Sequence, residues 1–236
     1  MAQPVFAHVS SGRERWSPGQ RIARHRHRQA YAAIVLSGSY EECGSAGRFQ
    51  VQPGDVLIHP SFDAHLDRFS SAGACILNLT LPATAGAPVF GRIEDPDEIV
   101  RAAERDLAAA RESLRRQMRH RETLPVDWPD ALALQLRADP TCRLDAWANE
   151  QGLSKEALSR GFGKLFGITP TAFRAEAKVQ RALTLMAQGA QPLTSIALAA
   201  GFSDQAHMTR AVRTVTGEPP TRLRRSIEFK TPPPRG

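Results

Sequence analysis

No apolar run in the 236 residues is long enough to span a bilayer, which excludes a transmembrane helix, and the first residues, Met1 to Arg15, lack the apolar stretch of a signal peptide. Cysteine is scarce. Cys43, Cys75 and Cys142 are odd in number and at no metal-ligand spacing, which excludes a disulfide framework and suits a reducing cytoplasm. No Ser/His/Asp or Cys/His arrangement offers nucleophilic chemistry, so no catalytic residue is assigned and the chain does not read as an enzyme. What remains is a chain whose 42% hydrophobic content can fill one large core or two small ones.

Acid is short in one part only. Residues 1–142 carry 17 Lys+Arg and 17 Asp+Glu, whereas residues 143–236 carry 14 and 7, so the whole net charge of +7 lies in the last 94 residues. A neutral front joined to a basic back implies that the back meets a polyanion.

Pattern divides the chain into an α+β protein of four parts. Residues 1–85 hold short β-type runs, Ala32–Leu36, Arg48–Val51, Asp55–His59 and Cys75–Leu81. Turn signals at Ser37-Gly38, Gly44 to Gly47 and Pro53-Gly54 separate them, as in a small antiparallel sandwich or barrel. Residues 86–127 hold one amphipathic connecting helix that starts at the Asp95 cap and Pro96. Ile99, Ala103, Leu107, Ala110, Leu114 and Met118 form its apolar stripe, which can pack on its own domain or on its copy in a homodimer. Residues 128–228 read as consecutive helices, and residues 229–236, with Pro232, Pro233 and Pro234, as a disordered tail.

The helical part repeats itself. Ala148-x3-Gly152-Leu-Ser154 recurs as Ala197-x3-Gly201-Phe-Ser203 at an offset of 49. Ser159-Arg160, Phe162, Gly167 and Pro170 recur as Thr209-Arg210, Val212, Gly217 and Pro220 at an offset of 50. Each copy has the parts of a helix-turn-helix: a small Ala where helices cross, a Gly for the left-handed turn, a Ser to cap the second helix. Leu158, Phe162, Leu165 and Phe166 form the buried stripe of the first copy, and Met208, Val212 and Val215 that of the second. The outward positions are Lys155, Glu156, Ser159, Arg160 and Lys164 in one, and Gln205, Ala206, Thr209, Arg210 and Arg213 in the other. Apart from Ala206, these are residue types that hydrogen-bond base edges and phosphates, so double-stranded DNA is the expected partner. Thr171 to Gln188 reads as an 18-residue helix of roughly 27 Å, able to hold two recognition helices about one DNA turn apart.

Residues 128–226 resemble the AraC/XylS family of bacterial transcription regulators, most specifically along Pro192 to Arg213 with Gly217 and Pro220. The resemblance implies base-reading roles for Glu156, Ser159, Arg160, Gln205, Ala206, Thr209 and Arg210. Gly161 and Gly163 depart from it, each at roughly 1 kcal/mol relative to Ala inside a helix.

Gly19-x5-His25-x-His27-x3-Tyr31-x6-Gly38, followed by Gly47-x5-Pro53-Gly-Asp55 and His65, is similar to the two cupin motifs, implying a β-barrel sensor. The spacing of His25 and His27 puts both on one face of a strand, with Arg24, Arg26 and Arg28 on the other. His25, His27, Tyr31 and His65 are the expected effector contacts. His25, His27 and His65 are also the set that would hold a divalent metal, although Tyr31 stands where metal-binding cupins have Glu. No cofactor is the first expectation; a metal sensor or a metal-dependent cupin enzyme is the alternative. His59, beside Pro60, reads as structural.

Overall fold

The computed structural model describes residues 6–83, 89–122, 125–189 and 191–228. The expected tail at 229–236 lies outside them.

Among the described residues, eight strands form one rolled antiparallel sheet: β1 (Gly12–Trp16), β2 (Arg21–Arg26), β3 (Tyr31–Gly44), β4 (Gly47–Val51), β5 (Asp55–His59), β6 (Ala64–Thr80), β7 (Val89–Arg92) and β8 (Arg119–His120). The hydrogen-bonded order is β1-β6-β3-β5-β7-β8, with β2 attached to β6 and β4 to β3. Two long strands carry the roll. The first half of β3 lies between β5 and the end of β6, and its second half between β4 and the start of β6. The ladders among the described residues do not close into the expected barrel.

Ser37-Gly38 is not the turn its composition suggests but a bulge inside β3, where the β6 register slips. Gly38 has φ 71° and pairs with Ala74 of β6, next to Gly73, φ 66°. A Cβ on Gly38 would stand 2.1 Å from the Gly73 carbonyl oxygen. Only glycine fits there, and the bulge lets both strands bend without ending. The strand runs expected at 32–36 and 75–81 are thus halves of longer strands.

The connecting helix is two helices, α1 (Pro96–Ala103) and α2 (Leu107–Gln117). Asp106 breaks it by capping the second, its carboxylate accepting from the N–H groups of Ala108 and Ala109. Ile99, Val100, Ala110 and Leu114 pack with Ala32, Ile34, Val56, Leu77 and Leu79 on the outer face of the sheet. Burying each large aliphatic side chain contributes roughly 1.5–3 kcal/mol. The stripe is therefore covered within its own chain.

Seven more helices follow among the described residues: α3 (Trp128–Ala138), α4 (Leu144–Glu150), α5 (Lys155–Phe166), α6 (Pro170–Gln188), α7 (Leu193–Ala199), α8 (Gln205–Thr216) and α9 (Pro220–Glu228). Two cores hold them. Phe162, Phe166 and Phe173 centre the first, which also takes in Cys43 and Leu66 of the sheet. Met186, Ile196, Met208 and Val212 centre the second.

Candidate nucleic-acid interface and effector pocket

The two helix-turn-helix units are α4–α5 and α7–α8. Gly152 (φ 65°) and Gly201 (φ 86°) make the left-handed turns, and Gly167 (φ 73°) and Gly217 (φ 78°) end α5 and α8 in the same conformation. Ser154 caps α5, accepting from the Ala157 N–H at 3.1 Å. The equivalent cap on α8 is not Ser203 but Asp204, which accepts from the His207 N–H at 2.7 Å. That one-residue move accounts for the change of offset from 49 to 50, and α5 and α8 both have 12 residues.

Leu158, Phe162 and Phe166, and Met208 and Val212, are buried as the stripes predict, while Leu165 and Val215 are half-buried. Lys155, Glu156, Ser159, Arg160, Lys164, Ala206, Arg210 and Arg213 are exposed, and Gln205 and Thr209 are half-exposed. Gly161 has a packing reason invisible in the local pattern. A Cβ there would lie 2.5 Å from Cζ2 of Trp128, so the glycine admits the indole of α3 against α5.

The other ends of these helices meet the sheet. Arg68 donates to the carbonyls of Lys164 and Leu165, both at 2.9 Å. Arg24 and Arg26 donate to the carbonyls of Phe166 and Val215, both at 3.3 Å. The last carbonyls of a helix lack intrahelical donors and form its negative pole, so guanidinium groups suit them. Arg24 and Arg26 also converge on one carboxylate of α6, Glu176, at 2.5 and 2.6 Å. Arg48 binds Asp127 at 3.0 Å and Asp130 at 2.7 Å. The N-terminal domain thus grips both recognition helices by their C-terminal ends, leaving their N-terminal halves exposed.

Between Arg24 and Arg26 the chain points the other way. His25 and His27 line a cavity of about 510 Å³ with Trp16, Ile22, Tyr31, Glu42, His65, Asp67 and Phe69. The ladder sets His25 opposite His65, Tyr31 opposite His59 and Glu42 opposite Asp67. Tyr31 donates its hydroxyl to, or accepts from, His65 Nε2 at 3.2 Å and stacks on His59 with centroids 4.5 Å apart. Burial, with His25 and His59 nearby, lowers the His27 pKa to about 4, and burial also lowers His25 and His65. Burial raises Glu42, and Asp67 to about 7. The cavity is therefore lined near neutral pH by uncharged imidazoles. The four residues expected to meet an effector come together here, and the three histidines lie within reach of a single ion. Sequence reasoning misses Glu42 and Asp67 as cavity residues, although Tyr31, Tyr40 and Glu42 alternate along β3 on either side of the bulge; His59 is buried behind Tyr31.

The family profile described as a helix-turn-helix domain matches residues 147–226. The transcriptional activator of the virulence regulon, VirF, of Yersinia enterocolitica is 32% identical over 82 residues, 35% of this chain and 30% of that protein. The regulator ExsA of Pseudomonas aeruginosa is 29% identical over 82 residues, again 35% and 30%. The structure of a probable AraC family transcriptional regulator from Rhodopseudomonas palustris aligns at 26% identity and TM-score 0.38 over 41% of this chain and 93% of that one. The matched segment thus spans under a third of the curated relatives, which are named as regulators and not as enzymes. Residues 147–226 of this chain are thus a helix-turn-helix domain, similar in sequence to a segment of these regulators.

Proposed function

We propose that the chain is a cytoplasmic, sequence-specific regulator of transcription whose DNA affinity is set by a small molecule in the N-terminal cavity. The observation that carries the reading is the pair of equal, capped helices with polar residues on their free N-terminal halves. Ser159, Arg160, Thr209 and Arg210 are the base and phosphate contacts, with Lys155, Glu156, Lys164, Gln205, Ala206 and Arg213 around them. One chain carrying two such helices reads an asymmetric site. A homodimer through the 95–122 segment is not favoured, because its apolar stripe lies in the core.

Effector control follows from β2. Its His25 and the next residue but one, His27, meet the cavity, while Arg24 and Arg26 hold Glu176 and the ends of α5 and α8. A ligand that displaces His25 or His27 shifts the same backbone that carries the arginines, and so biases the arrangement of the recognition helices.

Genome-wide mapping of bound sites supplies the operator. A gel shift on that fragment then tests the contacts: Arg160→Ala with Arg210→Ala is expected to lower affinity at least tenfold, each contact contributing about 1–3 kcal/mol. Undiminished retention by the folded double variant refutes the reading.

A further inference from the structure

We propose a divalent-cation site formed by Glu42 and His65, which line the cavity, and by His59, which is buried beside them, with Asp63 orienting His59 from behind. One ligand atom from each of the three lies within 4.8 Å of the others. All three are buried, with Glu42 2%, His59 1% and His65 2% exposed.

His59 is arranged as a ligand. Its Nδ1 stands 3.1 Å from Asp63 Oδ2, so the ring proton belongs there. Asp63 is itself fixed by the Ser45 hydroxyl, which donates to Oδ1 at 2.6 Å. A carboxylate behind an imidazole sets its tautomer and turns the other nitrogen, as a lone pair, towards a metal. That nitrogen, Nε2, has no hydrogen-bond partner among the described residues and faces Glu42 Oε2 at 3.5 Å. A buried carboxyl and a buried ring nitrogen that face each other across this distance can share one proton or one ion between them. An ion bound to both at about 2.0–2.2 Å takes the place of that proton, since the edge of such a tetrahedron is about 3.3–3.6 Å. His65 Nδ1 is likewise buried without a partner among the described residues.

This is not the His25, His27 and His65 set that the sequence suggests. The two share His65, so one ion chooses between them. The histidine set brings no negative charge, and His25 is half-exposed. The set with Glu42 brings a carboxylate and the carboxylate-backed His59. Two imidazoles and a carboxylate suit Zn²⁺, Co²⁺, Ni²⁺ or Fe²⁺ rather than Mg²⁺ or Ca²⁺. The inference stands independently of the DNA-binding reading.

The test uses the full chain without a polyhistidine tag, stripped with chelator and titrated with Co²⁺ by visible absorption, then with competing Zn²⁺. One equivalent is expected to bind. His59→Gln and Glu42→Gln are expected to weaken binding at least tenfold and Asp63→Asn about tenfold. His27→Gln is expected to leave it within about threefold. Circular dichroism checks that each variant folds. X-ray absorption on the wild-type protein separates two imidazoles plus a carboxylate from three imidazoles, and so reads the ligand set without any substitution. The proposal is overturned by no stoichiometric binding, by a shell of three imidazoles, or by a loss in His27→Gln that equals or exceeds that in His59→Gln.

Discussion

Replacing Glu176 by Ala removes the carboxylate that Arg24 and Arg26 share across the domain boundary. The side chains of Arg24, Arg26 and Glu176 are 9%, 14% and 21% exposed, so solvent screens this triad far less than a surface pair. Each guanidinium keeps one carbonyl bond at 3.3 Å, but Nε of both is already buried without a partner among the described residues. A hydrogen bond to a charged group contributes about 1.5–3 kcal/mol, and breaking a buried pair costs about 3–5 kcal/mol. Partial exposure of Glu176 places the expected loss at the lower end, about 2–4 kcal/mol. Because the triad joins two domains, the loss should fall on their association. Urea unfolding of the full chain followed by the three tryptophans should show the DNA-binding domain detaching at lower denaturant. Glu176→Ala combined with Arg24→Ala should lose less than the sum of the single changes. A loss under about 0.5 kcal/mol, the range of an exposed ion pair, would refute the grip.

The capping assignments predict an asymmetry: Ser154→Ala and Asp204→Ala should each cost about 1 kcal/mol in thermal or urea unfolding, whereas Ser203→Ala should cost under about half of that. Equal losses at Ser203 and Asp204 would return the cap to the serine. Cys43, buried between sheet and helices, has its thiol pushed up to about 12 by burial and the nearby Glu41, against an ordinary 9. A raised thiol carries less thiolate at every pH below 12, so its alkylation should rise about tenfold per pH unit from 7 to 10 with no plateau near 9. Mass spectrometry of the labelled cysteines reads this, and Glu176→Ala should speed Cys43 labelling by loosening the interface that covers it. A plateau near pH 9, or labelling of Cys43 as fast as an unfolded thiol, counts against that burial.

What the sequence makes legible is local. Caps, left-handed glycines and helical stripes act over four or five residues, so α5, α6 and α8 are readable within a residue of their ends. The Ser203 cap fails because serine and aspartate stand side by side and both can cap. Asp106 escapes notice because the apolar period runs through it unbroken, from Ala103 to Leu107 and Ala110, and only the chain's turn back onto the sheet selects the break. Strand β1 is hidden because GRERW alternates charge with few apolar residues, and β2, RIARHR, is legible only through the spacing of His25 and His27. Their arginines are chosen by partners elsewhere, such as Glu104 for Arg13 and Glu176 for Arg24 and Arg26. The cavity is half readable. His25, His27, Tyr31 and His65 lie in motifs with fixed spacing, whereas Glu42 and His59 reach them only through the pairing of β3 with β5 and β6.

The alternation of His and Arg along residues 24–27 makes this stretch sensitive to slippage in a way substitution does not reveal. Inserting or deleting one residue between Gly19 and Arg24 would rotate every later side chain by half a turn about the strand. Guanidinium groups would then enter the cavity and imidazoles would face Glu176, so ligand response and helix placement would fail together. The stretch from Leu81 to Pro88, between β6 and β7, has no such alternation in its sequence, and length variation among related chains should collect there rather than before Arg24.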